Sequence, residues 1–191
     1  MSEHETPLQD PNTPKSFHVD DVKISLEKGK SYPLLEFPFK DKKITIFVTV
    51  FFEVPNYSTP KGQEVLVDEK RYVCELGIYD ENDNHLGNIR GTVIYDGRGH
   101  VSASATNLGL REEKDGVSYL KGVVSESICQ MLMNKVFEVW YSSSHLMPDG
   151  QDMYESVAEQ LRKRAPNIEI FPEDSSYDND GESKRWKFVR K

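Results

Sequence analysis

A tyrosine and a glutamate are the residues of this chain best suited to transferring a proton. Tyr154 lies in "DMYESV" and Glu75 in "VCELG". A tyrosine with a pKa of about 10 is protonated at neutral pH, so Tyr154 can act as a general acid. Glu75, in a strand-like segment, could accept a proton from an amine. The alternative for Tyr154 is an amphipathic core residue with its hydroxyl at the surface.

A polar elbow between a predicted strand and a predicted helix offers a second set of candidates. It contains the serines 142–144 followed by His145. A histidine beside a hydroxyl can activate it as a nucleophile. No Gly-x-Ser-x-Gly motif surrounds these serines, so a connecting segment is the better interpretation. Glu138 is a further candidate base, but it alternates with apolar neighbours and is expected to face solvent.

The sequence contains only weak signals for a phosphate-binding site or a metal site. Lys121 and Gly122 stand near the start of a predicted helix, where backbone N–H groups favour anions. The Gly-rich loop of a P-loop is absent from this segment. The histidines and carboxylates of the chain do not have the spacing of metal ligands. The sequence therefore predicts no metal site.

Composition limits the class of protein. The chain has 191 residues and a net charge of -8, which indicates a single domain and argues against a nucleic-acid binder. Cys74 and Cys129 are the only cysteines, so no disulfide framework is expected. The N-terminus lacks the pattern of a signal peptide, and residues 44–54 are too few for a membrane helix. These features predict a cytoplasmic protein that does not insert into a membrane.

The first half of the chain reads as antiparallel strands. Residues 1–15 are polar and proline-rich and are predicted to be disordered. Residues 44–54 are β-branched and aromatic, which predicts a strand buried on both faces. A hairpin is expected around the polar turn 80–85, followed by a third antiparallel strand at 101–108. Residues 16–191 are predicted to form one domain, with 16–70 as a strand-rich extension of a core at 71–191.

The second half changes to helical periodicity. One helix is predicted from apolar residues spaced on a single face, at Val124, Ile128, Met131 and Leu132. A second helix is predicted from Met153, Val157 and Leu161, with Asp149 as its N-cap. The strand–helix–strand order permits one parallel pair with a right-handed crossover. The fold class is therefore α+β, with a mixed, mostly antiparallel sheet and two main helices.

Over residues 71–191, this order of elements resembles the GNAT (GCN5-related N-acetyltransferase) fold. The resemblance rests on a hairpin that leads into the strand 101–108, on "YLKGVV" at 119–124, and on a W/Y-x-S elbow before a helix that carries Tyr154. In that family, a strand runs along the pantetheine arm of acyl-CoA. A Gln/Arg-x-x-Gly-x-Gly/Ala segment then holds the pyrophosphate. Gly122 matches the first glycine of that segment.

The resemblance implies an acyl-CoA-dependent N-acyltransferase that uses acetyl-CoA. The acceptor would be an amine on a small molecule or a protein. Tyr154 would protonate the departing thiolate, and Glu75 or a water would take the amine proton. The implied cofactor-binding residues are Ala103 and Ala105 on the strand, and Lys121, Gly122 and Val123 in the pyrophosphate segment.

The chain also departs from the family pattern. Tyr119 stands where Gln or Arg is expected, and Val124 stands where a small residue is expected. A β-branched residue crowds the approach of a phosphate to the backbone. The two helices expected after the first strand are missing from the sequence pattern. The alternative hypothesis is therefore a catalytically inactive GNAT-like binding protein that has lost the cofactor site and takes a protein partner.

Overall fold

The fold combines one large sheet with two helices. The computed structural model describes residues 15–16, 28–54, 70–95, 101–110, 117–143, 148–174 and 184–191. Its strands are β1 (Lys15–Ser16), β2 (Ser31–Phe39), β3 (Lys42–Val54), β4 (Lys70–Asp80), β5 (His85–Tyr95), β6 (Val101–Leu110), β7 (Val139–Tyr141), β8 (Ile168–Asp174) and β9 (Lys184–Arg190). The helices are α1 (Val117–Met133) and α2 (Pro148–Arg164).

All nine of these strands belong to a single sheet in the order β1-β2-β3-β4-β5-β6-β7-β9-β8. Every neighbouring pair is antiparallel except β6 and β7, which are parallel and are connected through α1. A parallel pair needs such a crossover, because a tight turn cannot join two parallel strands. The predicted α+β class, with a mostly antiparallel sheet and two main helices, is confirmed.

The hydrophobic core lies on one face of the sheet. On β3 the buried residues are Ile44, Ile46, Val48 and Val50, at alternate positions. The prediction that this strand is buried on both faces is wrong, because the other side chains described between residues 42 and 53 are half-buried or exposed, and Phe52 is 52% exposed. Both helices pack against each other, and their apolar residues join the same core cluster. The opposite face, called the outer face below, is covered by neither helix.

The helices follow the predicted apolar spacing. The four residues predicted to line one face of α1 are all buried, as are Met153, Val157 and Leu161 of α2. The start of α2 differs from the prediction, because the helix begins at Pro148 and Asp149 lies inside its first turn. Proline suits the first helical position, where its missing N–H is not needed and its fixed φ already matches the helix.

The predicted hairpin is present, and Asp80 organises its turn. Its Oδ1 accepts hydrogen bonds from the backbone N–H groups of Asn82 (3.0 Å) and Asn84 (2.9 Å), and its Oδ2 lies 3.5 Å from Lys42 Nζ. Burial acts to raise the pKa of Asp80. The hydrogen bonds from Asn84 and Asn82 and the charge of Lys42 outweigh burial and hold this pKa below its ordinary value.

Replacing Asp80 by asparagine should therefore make stability less dependent on acid pH. A lowered pKa means that the carboxylate stabilises the folded chain above pH 3.8, and that this contribution is lost as pH falls through the folded-state pKa. We expect Asp80→Asn to cost about 1–2 kcal/mol at pH 7. Urea unfolding at pH 7 and at successively lower pH measures the difference, which should shrink below pH 3.8. A constant difference across this range would contradict the argument.

Candidate functional site

The clearest irregularity of the sheet is the separation of β6 from β7. The two strands pair over only three positions: Ser102 with Val139, Ala103 with Trp140, and Ser104 with Tyr141. β7 ends there, whereas β6 continues to Leu110. Residues 105–110 therefore have no strand partner on this side within the described part of the chain. Their backbone groups form an open edge inside the sheet, which we call the β6 edge.

A β-bulge marks the start of the β6 edge. Gly91 of β5 pairs with Ala105, whereas Arg90 pairs with Asn107, so Thr106 is an extra residue on β6. A bulge bends its strand and increases the local twist, and bulges are frequent beside functional sites. This one follows directly after the last pair between β6 and β7. The strands thus separate where β6 bends.

A small, mainly apolar pocket lies on the core side of this separation. It is lined by Cys74, Leu76, Ile89, Gly91, Thr92, Val93, Ala105 and Trp140. Burial raises the pKa of the Cys74 thiol to about 12, so it is not a thiolate nucleophile at neutral pH. Of the two predicted pantetheine contacts, Ala105 lines the pocket. Ala103 belongs to the paired part of β6, opposite Trp140.

The predicted acid, Tyr154, lies in the core behind Trp140. It is 0% exposed, and its hydroxyl accepts a hydrogen bond of 3.3 Å from Trp140 Nε1. Its ring stacks on Phe188 with 6.2 Å between the ring centroids. Burial raises its pKa well above the ordinary value, so the hydroxyl keeps its proton. Trp140 lines the pocket and Tyr154 does not, so proton donation into the pocket would require movement around Trp140.

The predicted base, Glu75, lies on the outer face. Its neighbours Cys74 and Leu76 line the pocket, and successive strand residues point to opposite faces. Its Oε2 accepts hydrogen bonds from Arg90 Nε (2.6 Å) and Asn88 Nδ2 (2.7 Å). Burial acts to raise its pKa, but these bonds and the Arg90 charge hold the pKa below its ordinary value. Glu75 and Tyr154 are thus on opposite faces of the sheet.

The predicted pyrophosphate segment is helical. α1 begins at Val117, so Lys121, Gly122 and Val123 lie beyond its first turn. Only the first four N–H groups of a helix lack a partner within the helix. The backbone N–H groups of Gly122 and Val123 therefore have partners within the helix, and Val123 is fully buried. Gly122 lies beside Phe39, where an added Cβ would be 3.5 Å from the ring.

The polar elbow extends the sheet. Ser142 is fully buried, and its backbone N–H donates to the Trp186 carbonyl oxygen at 2.9 Å. Its Oγ accepts a hydrogen bond of 2.8 Å from the Trp186 N–H and donates one to the carbonyl oxygen of Ser143. Ser142 therefore positions β9 beside β7. His145 and Ser144 lie outside the described residues.

Sequence reasoning missed Trp140 and the bulge at Thr106. Trp140 connects the pocket to Tyr154; the sequence placed it in a strand and in the W/Y-x-S elbow, but gave it no contact with Tyr154. The spacing of Trp140 and Tyr154, 14 residues apart across a strand and a helix, carries no local periodic signal. The bulge depends on the register of two strands, which alternation of apolar residues in β6 alone does not reveal.

Comparisons with known proteins give limited matches. No family model matches the chain, and no curated protein sequence matches it. A solved structure from Sphaerobacter thermophilus DSM 20745, with an inferred acetyltransferase assignment, matches at a TM-score of 0.39 and 11% identity, covering 80% of this chain and 94% of that one.

Two chimeras of spermidine N-acetyltransferase SpeG from Vibrio cholerae and hSSAT match at TM-scores of 0.33 with 15% and 16% identity. The matches cover 64% and 63% of this chain, and 66% and 65% of the chimeras. The matched structures carry acetyltransferase names, and their likeness to this chain is weak. At these TM-scores the likeness assigns neither activity nor substrate.

Among the described residues, no group of three or more histidine, cysteine, aspartate or glutamate side chains is arranged to hold a metal ion. None of the described helices has the length and apolar character needed to span a membrane.

Proposed function

We propose that this protein is an acyl-CoA-dependent N-acyltransferase that acts on an amine. The observation that carries the proposal is the β6 edge, whose backbone loses its β7 partner after Ser104 and bends at the bulge. An extended chain can add to such an edge through backbone hydrogen bonds. The amide-containing pantetheine arm of acetyl-CoA has this chemistry. The cytoplasmic location and a small-molecule or protein acceptor belong to the same proposal.

The residues present fit part of the cofactor. Residues 105–110 would bind the pantetheine arm, and Ala105 leaves room for it because its side chain is small. Ala103 would support the paired start of the same strand. Lys121 could reach the pyrophosphate with its side chain, whereas Gly122 and Val123 would contribute only through their place in α1, since their N–H groups belong to the helix and Val123 is fully buried.

Acetyl-CoA, when bound, supplies an acyl group activated as a thioester. The amine nitrogen would bond to the acyl carbon, the carbon–sulfur bond would break, and the thiolate would take a proton. Tyr154 is the candidate donor, and burial, which raises its pKa, makes it a weaker acid than an exposed tyrosine. The position of Glu75 on the outer face favours a water as acceptor of the amine proton on the pocket side. Positioning of the two reactants would supply much of the rate enhancement.

The second candidate function is a catalytically inactive binding protein with the same scaffold and a protein partner. Two observations favour it: Trp140 separates Tyr154 from the pocket lining, and "YLKGVV" lies within a helix rather than in a phosphate-binding loop. A shared fold does not carry its chemistry with it. The two candidates differ in one measurable property, the affinity for acetyl-CoA.

Calorimetric titration with acetyl-CoA, with free CoA as the comparison, tests the proposal. We expect saturable binding with a Kd of about 100 μM or below, near -5.5 kcal/mol. Gly122→Asp should weaken binding at least about tenfold, because it adds a negative charge near the pyrophosphate.

The matched control is Gly122→Ala, whose new Cβ makes an ordinary 3.5 Å contact with Phe39. This variant should bind normally and be about 1 kcal/mol more stable, since alanine favours a helix interior over glycine. Absence of binding by the unmodified protein at millimolar acetyl-CoA would overturn the transferase proposal. Normal binding by Gly122→Asp would move the pyrophosphate site away from α1.

A further inference from the structure

Four side chains form a row of cations and rings near the end of the sheet, which we call the cation–aromatic strip. Lys187 of β9 is paired with Tyr141 of β7 on one side and with Phe171 of β8 on the other. Its Nζ lies 5.6 Å from the Tyr141 ring centroid and 5.9 Å from that of Phe171. The Arg185 guanidinium carbon lies 4.7 Å from the centroid of Tyr141. These distances are typical of cation–π contacts.

The strip faces away from the core. Trp186 and Phe188 of β9 are buried in the core, so Arg185 and Lys187, at the alternate positions, point to the outer face. Neither described helix covers that face, and Phe171 is 41% exposed. Tyr141, Arg185 and Lys187 are half-buried, so the strip is partly open to a ligand that approaches from the outer face.

The hydrogen-bonding capacity of the strip is incomplete. Arg185 Nε is buried and has no hydrogen-bond partner in the described structure, although such a donor normally finds an acceptor. No ion pair is present between Lys187 and a described carboxylate. Glu173 is opposite Arg185 in the strand register, and the nearby Glu169 is paired with Lys191 at 2.6 Å. An incoming carboxylate would supply the acceptor that Arg185 Nε lacks, after a movement of the Arg185 side chain that uncovers this atom.

We propose that the cation–aromatic strip binds an acidic segment of a protein partner in extended conformation. Arg185 and Lys187 are two residues apart on one strand, which separates them by about 6.8 Å. Carboxylates at alternate positions of an extended peptide have the same spacing. The guanidinium fork suits a carboxylate, and the rings of Tyr141 and Phe171 offer apolar area to the peptide's methylene groups.

Nucleic acid fits this surface poorly. The chain has a net charge of -8, so a polyanion of high charge density is repelled at long range. A strip with two cations instead matches a short acidic peptide segment. This surface is separate from the pocket residues, so binding at the strip does not require acyl transfer. It would also operate in a catalytically inactive protein.

Fluorescence anisotropy of a labelled peptide with glutamates at alternate positions tests the proposal. The comparison peptide carries glutamine at those positions. We expect the full-length protein to bind the glutamate peptide at least tenfold more tightly at 150 mM salt, where distant charges are largely screened. Arg185→Gln combined with Lys187→Gln should weaken that binding at least tenfold. Lys163→Gln, which removes an exposed charge from the last turn of α2, is the matched control and should change it less than twofold.

Several outcomes would overturn the proposal. One is an unchanged affinity of the double variant for the glutamate peptide. Another is a loss of affinity in Lys163→Gln equal to that of the double variant. A third is tighter binding of single-stranded RNA than of the peptide. Strip-dependent self-association without peptide binding would assign the surface to a second copy of the chain instead. Thermal unfolding establishes that the variants are folded. If the double variant is unfolded, Lys187→Gln alone should weaken peptide binding at least threefold, and an unchanged affinity there would refute the proposal.

Discussion

Replacing Arg164 by alanine is expected to lower the free energy of unfolding by about 3 kcal/mol. The Arg164 guanidinium makes two parallel hydrogen bonds to Glu126, from Nη1 to Oε2 at 2.6 Å and from Nη2 to Oε1 at 2.7 Å. Glu126 is only 8% exposed, so alanine would leave a carboxylate with little access to water. The full penalty for such a buried charge is reduced because the Arg164 side chain is 36% exposed.

Urea unfolding at neutral pH measures this loss. The matched control is Arg162→Ala, which removes an exposed arginine from the same last turn of α2 and should change stability by less than about 0.5 kcal/mol. Combining Arg164→Ala with Glu126→Gln should recover part of the loss, because no unpaired carboxylate then remains. Equal effects of the two arginine substitutions would show that the ion pair between α1 and α2 contributes little.

This ion pair could not be predicted from the sequence. Glu126 and Arg164 are 38 residues apart and lie on different helices, so their pairing depends on how the helices rotate and pack. Each helix by itself was predictable, because apolar residues recur at helical spacing and their burial follows. The periodicity predicts which face of a helix is buried, but it does not predict which residue of another helix that face contacts.

The sheet likewise has features that could be predicted from the sequence and features that could not. The hairpin between β4 and β5 and the crossover from β6 to β7 could be predicted, because both follow from local turn residues and element order. The burial of β3 on one face alone could not be predicted, because its apolar run suits a strand buried on both faces as well as a strand buried on one face. Both helices pack on the core face, and this arrangement leaves the other face of β3 uncovered by a helix. Thr106 is a further case, since a single extra residue in β6 leaves no mark on composition.

The candidate site was predictable only in part. Tyr154 was correctly placed on a helix and Glu75 on a strand, but their relative orientation depends on strand parity and sheet register. One residue of register reverses the face to which a side chain points. The W/Y-x-S elbow before a helix that carries Tyr154 was part of the family resemblance. The hydrogen bond from Trp140 to Tyr154 was not, since a tryptophan in an apolar strand reads as core in any fold.

The second large effect is expected at Tyr154. Tyr154→Phe keeps the ring that stacks on Phe188 and removes the hydroxyl that accepts the Trp140 hydrogen bond. We expect it to remain folded, with a loss of about 1–2 kcal/mol because the indole N–H is left without an acceptor. If Tyr154 is the general acid of the proposed reaction, turnover should fall at least about 100-fold while the affinity for acetyl-CoA is unchanged. Single-turnover kinetics and calorimetry on the same preparation measure the two quantities.

Trp140→Phe is the variant that separates chemistry from packing. It removes the hydrogen-bond donor and some core volume but keeps the Tyr154 hydroxyl, so it should resemble Tyr154→Phe in stability. An acid role requires the hydroxyl itself, so Trp140→Phe should retain most of the turnover that Tyr154→Phe loses. Full turnover by Tyr154→Phe in a protein that binds acetyl-CoA would refute the acid role, and the Trp140 hydrogen bond would then be structural. Because the hydroxyl is fully buried and its pKa is raised, this outcome would also make water the proton donor on the pocket side.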